Sequence, residues 1–267
     1  DVYDTLISAK KINSADVLRV IRKLTWKSGS IYEMYRHDYS INNVSPQTSS
    51  TSLYNANYYI LNSDFRVYEC IYNGAAPSNS GNGIVSLQEP VHTDLEPRLE
   101  SDGYIWKYLY TIKPSDIIKF DSADYVPVPA NWTTSTDVQD VRNAAVDGKI
   151  EVVTIEDNAS ASYQFTGTKN GVPISGDGQD GLASVTFVNG QPTAVQVTNG
   201  GTGYSFATLD LDSSVAGSGA EFSVIIPPAG GHGADIYREL GSNKVLVYSR
   251  IENSDVTNPD FPTGNQF

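Results

Sequence analysis

The chain has 267 residues, enough to bury a sizeable core, and its 31 acidic against 18 basic side chains give a net charge of −13. That balance weighs against a nucleic-acid ligand and against docking on an anionic membrane, because both depend on basic surface. With 17 Tyr, 22 Gly and one Met, the composition fits a turn-rich β protein better than a helix bundle. The single cysteine, Cys70, rules out an internal disulfide and reads as a small buried hydrophobe. A chain of this size without disulfides suits assembly in a reducing cytosol. No apolar run reaches membrane-spanning length, and no signal peptide is recognisable. Starting at Asp1 without an initiator Met and ending on Gln266-Phe267, the chain reads as a fragment of a longer protein.

The first predicted element is a helix over 14–24, with Ser14 as N-cap, Asp16 in the first turn, and Val17, Val20, Ile21 and Leu24 on one face. Tyr-rich irregular sequence follows over 31–52. Strands are predicted at 58–61, 65–72 and 104–112. In the last, Tyr104, Trp106, Tyr108, Tyr110 and Ile112 alternate with Ile105, Lys107, Leu109 and Thr111, an aromatic ladder that needs a covering layer. The Gly-, Ser- and Pro-rich connection 73–101 reads as a surface excursion suited to partner contact. Pro127 and Pro129 force an extended edge, and a second helix is expected at 137–147, capped by Thr136, buried through Val138, Val141, Ala144 and Ala145, and closed by Gly148.

The texture changes over 149–228, where short strands at 183–188, 193–197, 208–211 and 221–226 are separated by glycine turns. Asn189-Gly190 is a hairpin signal, since a type I′ turn needs positive φ at both central residues. This stretch reads as a compact inserted β-module. A strand at 244–251 then returns to the first domain.

Chemistry-bearing patterns are sparse. His37, His92 and His232 show no metal-binding spacing, a zinc site is not expected, and His232 in its glycine-rich turn is assigned a backbone or rim role. Asp177–Gly181 lacks the oxygen ligands of a calcium loop, and Gly200–Gly203 lacks the Lys-Ser/Thr of a phosphate loop, so both read as turns. Glu89, Asp94, Glu96 and Glu100 could pair for glycoside hydrolysis, but they fall in the long loop, where solvated charge is the default. Trp26 and Trp132 are left undecided between core and sugar stacking; Trp106 is assigned to the core. No nucleophile–base pair is evident, and no catalysis, metal or cofactor is expected.

Phe65-Arg-Val-Tyr-Glu-Cys-Ile-Tyr72, then Glu96-Pro97, Asp102-Gly-Tyr-Ile-Trp-Lys-Tyr-Leu-Tyr-Thr-Ile-Lys-Pro114 and Tyr125-Val-Pro-Val-Pro129, resemble the baseplate wedge protein of T-even-type contractile-tailed bacteriophages. The run from Val17 through Arg22-Lys-Leu-Thr-Trp26, Gly230-Gly-His-Gly-Ala-Asp235 and Asp260-Phe-Pro-Thr-Gly-Asn-Gln-Phe267 are similar to further parts of that family. The likeness covers residues 1–130 and 229–267 in patches, while the 149–228 module has no evident counterpart. It implies a mainly β subunit, a β-sandwich with helix-bearing loops built from 1–148 and 229–267, with the module inserted. It further implies a homodimer in the virion tail baseplate, assembled in the host cytoplasm. There it would contact other wedge and fibre-connecting proteins and exchange contacts on tail contraction. Trp26, Tyr32, Tyr35, Tyr39 and Trp132 are the candidate partner contacts, with the 31–52 and 73–101 loops. The competing reading is a carbohydrate-binding or adhesin-type β-sandwich of a tail fibre or spike.

Overall fold

The computed structural model describes residues 12–209, 211 and 214–249. The parts of the expected sandwich at 1–11 and 250–267, including the 260–267 motif and the end of the 244–251 strand, lie outside them. The chain is mainly β, as expected. In order it forms β1 (Val17–Arg22), β2 (Tyr59–Leu61), β3 (Arg66–Tyr72), β4 (Arg98–Leu99) and β5 (Ile105–Thr111). The short helix α1 (Pro114–Phe120), β6 (Tyr125–Pro127) and α2 (Gln139–Ala144) follow. Then come β7 (Val153–Asp157), β8 (Gly167–Gly176), β9 (Leu182–Val188), β10 (Gln191–Asn199), β11 (Ala207–Leu209) and β12 (Glu221–Val224). The one-turn helix α3 (Ile236–Glu239) and β13 (Lys244–Val247) complete the described fold.

Four antiparallel sheets result, ordered β2-β3-β5-β4, β13-β1-β6, β12-β7 and β10-β9-β8-β11. The β3–β5 pair is the centre of the first core. Tyr104, Trp106, Leu109 and Tyr110 are buried, as are Val67, Tyr68, Cys70 and Ile71 opposite them. Both faces of β5 are covered, so Lys107 is buried along with the ladder, while Tyr108 is half-buried at its edge. Tyr104 stacks on Trp106 at 5.3 Å and Tyr32 meets Trp106 edge-on at 5.8 Å. A second core gathers Ile150, Val153, Tyr163, Val185, Phe187 and Tyr204 inside the glycine-rich stretch, while Val152 and Ile225 belong to the first. At the β9–β10 hairpin Asn189 and Gly190 both have positive φ, 51° and 81°, as a type I′ turn requires.

The predicted helix over 14–24 does not form. Ser14–Asp16 make one 3-10 turn, and the chain then extends as β1. Val17, Val20 and Ile21 are β-branched and keep more side-chain freedom in a strand. Pairing on both sides decides the matter: Val20 lies opposite Lys244 of β13 and Pro127 of β6. The second helix is shorter than predicted and lacks the Thr136 cap; Val138 holds the N-cap position without a side-chain bond. Val138 and Val141 are buried as expected, whereas Ala144 and Ala145 are only half-buried. Pro127 closes an edge strand, where its missing N–H costs no ladder bond.

The irregular 31–52 segment is held by a carboxylate. Glu33 is fully buried and accepts hydrogen bonds from the backbone N–H groups of Gln47, Thr48 and Asn57 and from the Thr48 hydroxyl. Each satisfies a donor that no sheet could reach.

The indole N–H of Trp106 is buried without an acceptor. Trp106→Ala should therefore cost about 3–5 kcal/mol in urea unfolding through the cavity it leaves. Trp106→Phe should cost clearly less, because it also removes the unpaired donor. Equal losses for the two variants would mean that the indole N–H finds a partner.

Candidate functional site

Among the described residues, a fully buried ionisable cluster joins distant parts of the chain. Glu69 stands in the middle of β3 with its neighbours Val67, Tyr68, Cys70 and Ile71 all buried. His232 is presented by the turn 230–233. There Gly231 has φ of +89°, and a Cβ on it would lie 2.3 Å from the Val146 carbonyl oxygen, so the turn closes only on glycine. Glu239 ends α3, whose start is capped by Asp235 accepting from the Tyr237 and Arg238 N–H groups.

His232 Nδ1 lies 2.7 Å from Glu69 Oε2 and 3.0 Å from Glu239 Oε1. Gly233 N–H donates to Glu239 Oε2 at 2.8 Å, the Tyr58 hydroxyl donates to the Glu239 carbonyl at 2.6 Å, and Tyr35 packs edge-on against the imidazole at 4.8 Å. Glu69 Oε1 is buried with no partner. Lys107 lies opposite Glu69 in the β3–β5 register, but its ammonium donates to the Leu95 carbonyl. Three possible metal-ligand atoms, one from each of Glu69, His232 and Glu239, lie within 4.8 Å of one another.

The electrostatics follow from burial and pairing. Burial, then the Glu239 charge, pushes the Glu69 carboxyl up to about 8 against the pull of His232. Glu239 is also opposed by burial, yet the hydrogen bond and charge of His232 hold it below the usual carboxylate range. Burial alone would lower His232; the Glu69 charge and the bonds to both carboxylates outweigh it and raise the imidazole to about 10. The proton belongs on Glu69, since Glu239 already accepts from Gly233 while Glu69 has an oxygen to spare. At neutral pH the site holds an imidazolium, one carboxylate and one carboxylic acid, and its net charge is zero.

His232 thus has no rim role: it is buried, and it is the hinge of the cluster. The sequence signal was a Glu in the centre of an apolar strand and a His flanked by glycines. Their partnership spans 163 residues, which no local spacing reports. His92 is also buried, with Nδ1 accepting from the Asp94 N–H, and His37 Nδ1 accepts from the Ile226 N–H. Asp177 accepts from the Ser205 and Phe206 N–H groups, as a turn would. Glu96 pairs with Lys149.

The five aromatic residues read as partner contacts are placed mostly inward. Tyr32, Tyr35 and Trp132 are buried in the first core, which corrects their assignment as surface anchors. Large rings with one polar tip are what an irregular segment needs to fasten itself to a sheet. Trp132 donates its indole N–H to the Ala234 carbonyl and offers no face to a sugar. Trp26 and Tyr39 are half-buried, with Trp26 donating to Ser86 Oγ and the Tyr39 hydroxyl to the Met34 carbonyl.

Comparison with protein-family models, with curated proteins and with solved structures finds no match.

Glu69 keeps its proton in the folded state well above the value of about 4.5 at which it titrates unfolded. Stability is therefore lost as pH rises from that value towards 8. The raised imidazole acts in the same sense: its contribution is complete below pH 6.5 and gone above about 10. Glu69→Gln mimics the protonated acid and does not titrate. In chelator-treated protein its melting temperature relative to the parent should rise from pH 5 to about pH 8 and then level off. A difference that stays flat across this range would place the proton elsewhere.

Proposed function

We propose that the chain is a structural subunit of a contractile phage tail baseplate wedge, working by association and not by catalysis. It pairs as a homodimer and binds neighbouring wedge and fibre-connecting proteins in the virion, with contacts that exchange when the tail contracts. The observation that carries this reading is the 85–99 part of the long excursion, where Val85, Leu87, Val91, Leu95 and Leu99 are all exposed. Leu99 sits on β4, a two-residue strand at the edge of its sheet with no outer partner among the described residues. Exposed aliphatic side chains concentrated on one connection and interleaved in sequence with Glu89, Asp94 and Glu96 have the composition of an association surface. Ile41 and Val44 add exposed apolar surface on the 31–52 segment. The blocks that resemble the wedge family, 65–72 and 104–112, coincide with the paired strands β3 and β5, so the likeness falls on the scaffold that supports this excursion.

In light scattering after gel filtration, the protein should run as a dimer. The double variant Leu87→Asp, Leu99→Asp should run as a monomer with a melting temperature within about 2 °C of the parent, since neither side chain is in the core. Gold-labelled antibody against the chain should decorate the distal end of contractile tails; label on fibres or spikes would support the adhesin reading instead.

A further inference from the structure

We infer that Glu69, His232 and Glu239 form a structural binding site for one divalent cation of the zinc class, seated between the imidazole Nδ1 and the two carboxylates. This goes beyond the assembly role and does not depend on it.

The geometry points there in three ways. First, Nδ1 carries at most one hydrogen, yet two carboxylate oxygens lie at 2.7 and 3.0 Å from it. One N–H cannot align with both acceptors; a cation between the three groups satisfies all of them at once. Second, the Glu69 Oε1 atom is fully buried with no partner among the described residues. Such an atom is costly in a native fold, and as the second arm of a bidentate carboxylate it becomes a fourth donor, closing a site of four ligand atoms. Third, the ligand atoms lie within 4.8 Å of one another, near enough for one ion to reach all three. The His232 contacts at 2.7 and 3.0 Å would open to the separations of roughly 3.3 Å expected around a four-coordinate zinc.

Charge and support agree with this. Two carboxylates balance a doubly charged ion, so the buried site stays neutral once two protons leave, the Nδ1 hydrogen of the imidazolium and the carboxyl proton of Glu69, as metal binding requires of its ligands. Glu239 is fixed by the Gly233 N–H, and the His232 ring is fixed by Tyr35, which is the outer support a metal site needs. The nearest cations are turned away or lie outside: Lys107 is held by the Leu95 carbonyl, and Arg238 lines the neighbouring open cavity. That cavity, about 320 Å³, is also lined by Tyr35 and Glu239, and so gives solvent a path to two residues of the cluster's wall. One imidazole with carboxylate oxygens suits zinc over softer copper(I), and the imidazole favours it over calcium.

The test uses the whole chain, stripped with chelator and titrated with zinc chloride. Calorimetry should give one zinc per chain, and zinc at about 100 times its Kd should raise the melting temperature by about 5–10 °C. Glu69→Gln and Glu239→Gln should each weaken binding at least about 10-fold. X-ray absorption on the zinc-loaded parent, which needs no variant to fold, should show a single imidazole with oxygen ligands at about 2.0–2.1 Å. Two or more imidazoles, binding that both Gln variants leave intact, or no saturable binding would each overturn the assignment.

Discussion

A carboxyl group fixed in the centre of β3 constrains the rest of the structure. Glu69 cannot lie among Val67, Cys70 and Ile71 as an uncompensated charge, because removing one ion from water costs several kcal/mol even after relaxation. Its compensation comes from the far end of the described chain, so that end must return to β3. The glycine turn at 230–233 delivers His232, α3 delivers Glu239, and the Tyr58 hydroxyl fastens the last carbonyl of that helix. The next residues are then in position to extend the second sheet. Ser242 donates to the Val20 carbonyl, Arg19 donates to the Ser242 carbonyl, and β13 pairs along β1. One buried ionic contact therefore decides where the chain re-enters the first core and, through it, how β1 is flanked.

The same economy appears in the segments without regular structure. Glu33 collects the backbone donors of 47, 48 and 57, as a strand partner would. The Asn73 amide donates to the Tyr32 carbonyl, and the Tyr104 hydroxyl donates to the Ile84 carbonyl, stitching the two long loops to the ladder strand. Buried side-chain acceptors and donors supply what secondary structure does not, so these loops can be irregular and still rest on the sheet. Their aromatic rings are the fasteners, which is why so few of them remain for an outside partner.

What could be read from the sequence follows from the range of each signal. Period-two alternation locates β5, and the strand-like run 65–72 locates β3, each within a residue of its ends, and Asn189-Gly190 fixes its hairpin, because these effects are local. The 14–24 stretch carried a helical periodicity, but Val17, Val20 and Ile21 satisfy a strand equally well, and only the flanking strands β6 and β13 choose. Those partners are more than 100 residues away in the chain. Tyr32, Tyr35 and Trp132 were misplaced for a related reason: a ring in an irregular segment looks the same whether it points at a partner or at its own sheet. Glu69, a lone carboxylate in an apolar run, announces a buried partner. Naming that partner needs the tertiary fold.

Under the proposed assembly role, these placements would move the burden of association from rings to aliphatic side chains. A tyrosine anchor contributes through a large face, whereas Leu87, Leu99 and Val91 offer smaller patches that gain affinity only when several are covered together. Copies carrying a charge of −13 also repel one another, and that repulsion is screened beyond about 8–10 Å at physiological salt. Association in that proposed role would then depend on short-range apolar contact within that distance. An interface of that kind holds when many subunits are pressed into register and releases when they are shifted apart. The buried cluster at Glu69 has the opposite character, a fully enclosed contact that fixes the chain's own core.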